Sequence, residues 1–132
     1  TKTKALTERI VSVSKEKINR VVLYEQLVAI AAEGTANISI SFLQSIKLHY
    51  PKSWLVIEKF TDLFVDLLKI QYSQGITEGI YHPISVELLG HLDKLFVTQV
   101  VTNKLMFTDK DYTLSKLITD YLNLRLKGLL KK

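Results

Sequence analysis

The chain has 132 residues, 47% hydrophobic and 23% charged, which suits one globular domain with its own core and excludes the composition of a disordered chain. It contains no cysteine, so disulfide frameworks, thiolate nucleophiles, Cys-based zinc sites and iron–sulfur ligation are excluded. The net charge of +5 gathers at the two ends: residues 1–20 hold six basic and two acidic groups, residues 125–132 four basic and none acidic, and the stretch between is net negative. Basic ends read either as solvated tails and helix C-terminal cations or as a phosphate-binding patch. No apolar run approaches the roughly 20 residues of a membrane span, and "TKTKALTERIVSVSKEK" lacks the apolar stretch of a signal peptide. A cytoplasmic protein with no membrane contact is expected.

Apolar residues recur at helical spacing, which predicts an all-α bundle of about six helices. The first runs from about Leu6 to Arg20, with Leu6, Ile10, Val13 and Val21 on one stripe. A second, from about Leu23 to Glu33, ends near Gly34, and a third, from about Asn37 to Tyr50, stops before Pro51; an internal glycine is too weak a breaker to decide whether these two form one kinked helix. "NISISFL", Asn37 to Leu43, alternates like a strand, but an isolated strand has nothing to pair with.

The fourth segment, from about Lys52 to Thr77, confines Glu58, Lys59, Asp62, Asp66 and Lys69 to one narrow arc and covers the rest with Trp54, Val56, Ile57, Phe60, Leu63, Phe64, Leu67, Leu68, Ile70 and Tyr72. An apolar surface that wide needs neighbours on two sides, which places this helix near the centre of the domain. "QGITEGIYHP", Gln74 to Pro83, follows it. The two glycines follow a helix and precede no Gly-Lys-Ser/Thr, so a phosphate loop is excluded; Gln74, Thr77 and Glu78 exclude a membrane close-packing pair. What survives is a helix end with Gly79 left-handed and Pro83 barring continuation. A fifth helix from about Ser85 to Phe107 has Ser85 as N-cap, and Thr108 with Asp111 caps a sixth that runs to Leu130.

Catalysis requires convergent acids, bases and nucleophiles, and the helical wheels scatter them, so no enzymatic site, no cofactor and no structural metal is expected. Glu58, Asp62 and Asp66 read as a solvated stripe flanked by Lys59 and Lys69; His49, His82 and His91 lack zinc spacing. Gln99 and Asn103 fall inside the apolar arc of the fifth helix. Buried amides need partners, supplied either within a bundle or dimer, or by a ligand in a pocket. Phe42, Trp54, Phe60, Phe64 and Phe96 would line such a pocket or simply fill a core, and His49 is either a pocket wall or a helix end.

The stretch "HYPKSWLVIEKFTDLFVDLLKIQYSQGITEGIYHPISVELLGHLDKLF", His49 to Phe96, resembles the C-terminal regulatory domain of TetR-family transcription regulators, in which a helix opening near "YP" ends in a "GI-x-x-G" turn before two final helices. "LITDYLNLRLKGLL", Leu117 to Leu130, is similar to that family's last helix. The resemblance implies a single regulatory domain over residues 1–132. Residues 1–20 would be a connecting helix, 21–107 a ligand-binding core and 84–130 the dimerisation helices. The last two helices would pair with those of a second copy as a four-helix bundle, through Leu114, Ile118, Tyr121 and Leu122 with Gly128 allowing close approach. Phe42, His49, Trp54, Phe60, Phe64, Phe96, Gln99 and Asn103 would surround a small, largely apolar effector. The family's helix-turn-helix headpiece finds no counterpart in these residues, so DNA would be reached only through a headpiece not represented here. A helical protein-interaction adaptor without a small-molecule ligand is the competing expectation.

Overall fold

The computed structural model describes residues 19–100 and 113–131. Among them are five helices: α1 Arg20–Gly34, α2 Ile40–His49, α3 Pro51–Thr77, α4 Val86–Leu95, which continues through a π-helical turn at Phe96–Val100, and α5 Leu114–Leu129. The all-α expectation agrees with this: extended pairing among the described residues is limited to one antiparallel bridge between Tyr81 and Leu130. The expected first helix lies outside the described residues except at its end. There Asn19 accepts from the N–H of Val21 at 2.9 Å, which caps α1 and puts Arg20 at its start, a turn earlier than Leu23.

Local chemistry also settles the Gly34 and "NISISFL" ambiguities. The Thr35 hydroxyl donates to the Ala31 carbonyl at 2.8 Å, and α1 stops at Gly34. The Ser39 hydroxyl accepts from the Phe42 N–H at 3.0 Å and starts a separate helix at Ile40. α3 opens on Pro51, where a missing N–H costs no helical hydrogen bond. It packs against α1, α2 and α4, the central position its wide apolar surface predicts. Its charged stripe is not merely solvated, however. Lys69 pairs with Glu87 at 3.0 Å and Asp62 with Lys94 at 2.8 Å, two partly exposed ion pairs that bridge α3 and α4.

The two glycines of "QGITEGIYHP" have different reasons. Gly79 has φ +76°, and Ile80 N–H donates to Gly75 O while Gly79 N–H donates to Ile76 O, a Schellman closure of α3. Gly75 makes room for a neighbour: a Cβ there would stand 2.1 Å from the ring of Tyr81, which is wholly buried. The turn is then tied to the end of α5, with His82 N–H donating to Leu129 O at 2.7 Å and Lys131 N–H to Ile80 O at 3.0 Å.

Two apolar clusters result. The larger joins α1, α3, α4 and α5 through Tyr24, Leu27, Leu68, Tyr72, Tyr81, Leu122 and Leu129 among others. The smaller joins α2, the start of α3 and the start of α5 through Ile40, Leu43, Trp54, Leu114 and Leu117.

Candidate functional site

The two clusters do not meet cleanly. Between them lies a cavity of about 240 Å³, walled by all five helices and by the π turn. α2 contributes Phe42, Leu43 and Ile46, α3 contributes Phe60, Phe64 and Leu68, and the π turn contributes Phe96 and Val97. Ala31 and Gly34 of α1 present little or no side chain, and the hollow persists for that reason: the residues that would fill it are small. Phe42 and Val56 belong to the lining yet are 57% and 55% exposed, which places the mouth between α2 and α3. Because the hollow opens to solvent there, its apolar wall lacks packing partners on one side, and a ligand that covers it would gain the burial of that surface.

Thr35 and Thr61 on the wall have their hydroxyls turned back to their own helices, each donating to a carbonyl four residues earlier at 2.8 Å. The exception to the apolar lining is Asp93, which is 3% exposed and lies on α4. Its Oδ1 accepts from the Tyr121 hydroxyl at 2.5 Å and from Arg125 Nη2 at 2.9 Å; its Oδ2 accepts from the Tyr72 hydroxyl. A buried carboxylate is tolerable only when paired and hydrogen-bonded, and here α3 and α5 supply both. Burial, then the adjacent Asp93 charge, pushes the Tyr72 hydroxyl far above the ordinary tyrosine value; burial and the hydrogen bond to Asp93 do the same for Tyr121. Burial opposes the charge of Arg125, but Asp93 outweighs it and the guanidinium pKa is raised. The network is therefore a fixed anion–cation pair with neutral tyrosines around it.

Of the eight residues expected around a ligand, Phe42, Phe60, Phe64 and Phe96 line the cavity together. Trp54 does not: it is buried in the smaller cluster with its indole N–H donating to Glu58 at 2.7 Å. His49 is exposed at the end of α2, where the chain leaves the helix before Pro51. Asn103 lies outside the described residues, as do Thr108 and Asp111; the described part of the last helix is capped by Thr113, which accepts from Lys116 N–H at 3.1 Å. Gln99 is exposed rather than buried, and the physical reason is the π turn. A wheel drawn at 3.6 residues per turn loses phase there, and Thr98 takes the buried position instead. Asp93 and Arg125 escaped the sequence reading, although each carries a signal. Asp93 falls between Leu89 and Phe96 on a buried face, and Arg125 between Leu122 and Leu129.

The five residues expected at a dimer seam divide. Leu114 and Leu122 are 2% and 3% exposed and are committed to packing inside the chain, because α5 turns its leucine stripe onto α1. The Tyr24 hydroxyl donating to Leu122 O at 2.8 Å and Ser115 donating to Ala32 O at 2.9 Å fix that pairing. Ile118 and Tyr121 border the cavity, and Gly128 faces outward with nothing near it. Outside, a groove runs between α4 and α5 past Ile84, Leu92, Leu124 and Gly128, with Leu88 and Leu124 51% and 70% exposed. Phe96 and Tyr121 stack at 4.0 Å between ring centroids and are shared by groove and cavity. No described helix is long and apolar enough to cross a membrane. Comparison with models of protein families, with characterised proteins and with solved structures finds no match.

Proposed function

We propose that this chain is the effector-binding and dimerisation domain of a TetR-like transcriptional regulator, binding a small, largely apolar molecule without transforming it. The observation that carries the reading is the cavity of about 240 Å³ between the two core clusters, lined by Phe42, Phe60, Phe64 and Phe96. An apolar, partly closed hollow with one polar group is the usual form of a small-molecule site. A ligand that fills it stabilises the fold. DNA would be reached through a helix-turn-helix outside these residues. The effector would act by binding two arrangements of the regulator unequally.

The second copy would dock on the outward face of α4 and α5. Ile84, Leu88, Leu92 and Leu124 are the apolar residues left over once α5 has packed on α1, and Gly128 lets a neighbouring helix approach. Two such helix pairs related by a two-fold axis form a four-helix bundle. Titration calorimetry with naphthalene and native mass spectrometry test the two halves of the proposal. A dimer that takes up naphthalene, and that Leu92→Asp converts to a monomer, is the expected result. A monomer that binds no apolar probe would overturn it and favour the adaptor reading, for which the same exposed leucines would serve a different protein.

A further inference from the structure

We infer that the cavity's occupant is an uncharged, mainly hydrocarbon molecule of roughly ten non-hydrogen atoms that carries one hydrogen-bond donor, received by the Asp93 carboxylate; the size follows from benzene filling a cavity of about 150 Å³. This rests on the cavity being a ligand site, as proposed above. Along the wall, the Thr35 and Thr61 hydroxyls donate to Ala31 O and Ile57 O, and the Tyr121 hydroxyl donates to Asp93. Asp93 is the strong acceptor in that lining.

Its acceptor positions are unevenly used. Oδ1 takes Tyr121 at 2.5 Å and both Nε and Nη2 of Arg125 at 3.3 and 2.9 Å, whereas Oδ2 takes Tyr72. Each carboxylate oxygen has about two lone-pair directions; on Oδ1 the Tyr121 hydroxyl and the two-pronged Arg125 fork share them, whereas Tyr72 occupies one on Oδ2 and leaves the other for a ligand's donor. The charge of Asp93 is already balanced by Arg125, so a cationic ligand would add an uncompensated charge among the phenylalanines. An anion, or a ligand presenting a bare acceptor, would meet the carboxylate's own negative oxygens. A neutral O–H or N–H on a flat ring is the chemistry that fits both the polar point and the aromatic walls.

Three nine-atom bicycles of the same shape separate these outcomes on the full chain: indole, with an N–H donor; indene, with none; and benzofuran, with an acceptor. Calorimetry should show indole binding at least about tenfold tighter than the other two, the effect of a hydrogen bond to a charged group. Asp93→Asn should erase that gap while leaving indene affinity within about threefold. Because Asp93→Asn removes charge from a buried pair, Tyr72→Phe serves as the second variant. It opens Oδ2 further and should raise the indole preference, whereas a purely structural Tyr72 would shift indole and indene equally. Equal affinity for all three probes in the wild-type chain would overturn the anchor and leave the cavity standing. Absence of binding by all three would overturn both readings.

Discussion

The two ends of this bundle are built from similar residues and differ in what lies between them. Around Tyr72, Tyr81 and Leu129 the chain is solid: side chains are wholly buried, Gly75 admits the Tyr81 ring, and the turn after α3 is hydrogen-bonded to the end of α5. Around Phe60 and Phe64 the phenylalanines of α3 face a hollow, because α1 brings Ala31 and Gly34 to that level instead of leucines. The difference teaches that an apolar helix surface reports burial but not filling. Whether it meets a neighbour or a void depends on the size of residues far away in sequence.

Raising the pH should strike the solid end hardest. Tyr24, Tyr72 and Tyr81 have raised folded pKa values, Tyr81 to about 12, with burial the largest cause in each. A raised folded value means that this stability is fully present below pH 10, the ordinary tyrosine value, and is lost as pH rises toward the folded values. The unfolded side chain is already half ionised at pH 10, so each tyrosine is expected to withdraw about 1 kcal/mol between pH 10 and 11, about 3 kcal/mol for the three. Urea unfolding across that interval checks it; a flat profile would mean the tyrosines ionise in the folded chain.

Truncation should separate the two ends next. Leu27 is wholly buried in the larger cluster, and Leu27→Ala is expected to cost about 3–5 kcal/mol, while Ile46→Ala on the cavity wall should cost about 1–2 kcal/mol because its surroundings are already incompletely packed. Equal losses in chemical denaturation would erase the distinction. Enlargement should separate them with opposite signs. Gly75→Ala drives a Cβ into the Tyr81 ring and should destabilise by about 1–3 kcal/mol. Ala31→Val adds carbon where there is space and should change stability by less than about 1 kcal/mol, in the stabilising direction, while weakening naphthalene binding. A destabilising Ala31→Val with unchanged ligand uptake would show the hollow to be elsewhere.

Much of the helical framework was legible because its determinants are local. Ser85 accepts from Leu88 N–H and caps α4, Pro51 opens α3, and Gly79 ends it, each through chemistry within a few residues. The wide apolar surface of α3 likewise announced a central helix. What stayed hidden needed partners from distant segments. Asp93 reads as one more acid on an amphipathic helix until Tyr72 from α3 and Tyr121 and Arg125 from α5 converge on it. Gln99 reads as buried until the π turn rotates it outward. Leu114 and Leu122 read as an outward seam until α5 is seen against α1.

The sequence by itself determined an all-α chain, the caps and breaks of most described helices, and a centre at α3, because helix ends and apolar periodicity are properties of neighbouring residues. Only the tertiary structure decided that phenylalanines from α2, α3 and the π turn share one hollow, and that a buried carboxylate stands in its wall. Both depend on which helices meet and at what level, a choice made by packing between segments distant in sequence: the partners of Asp93 alone lie 21, 28 and 32 residues away.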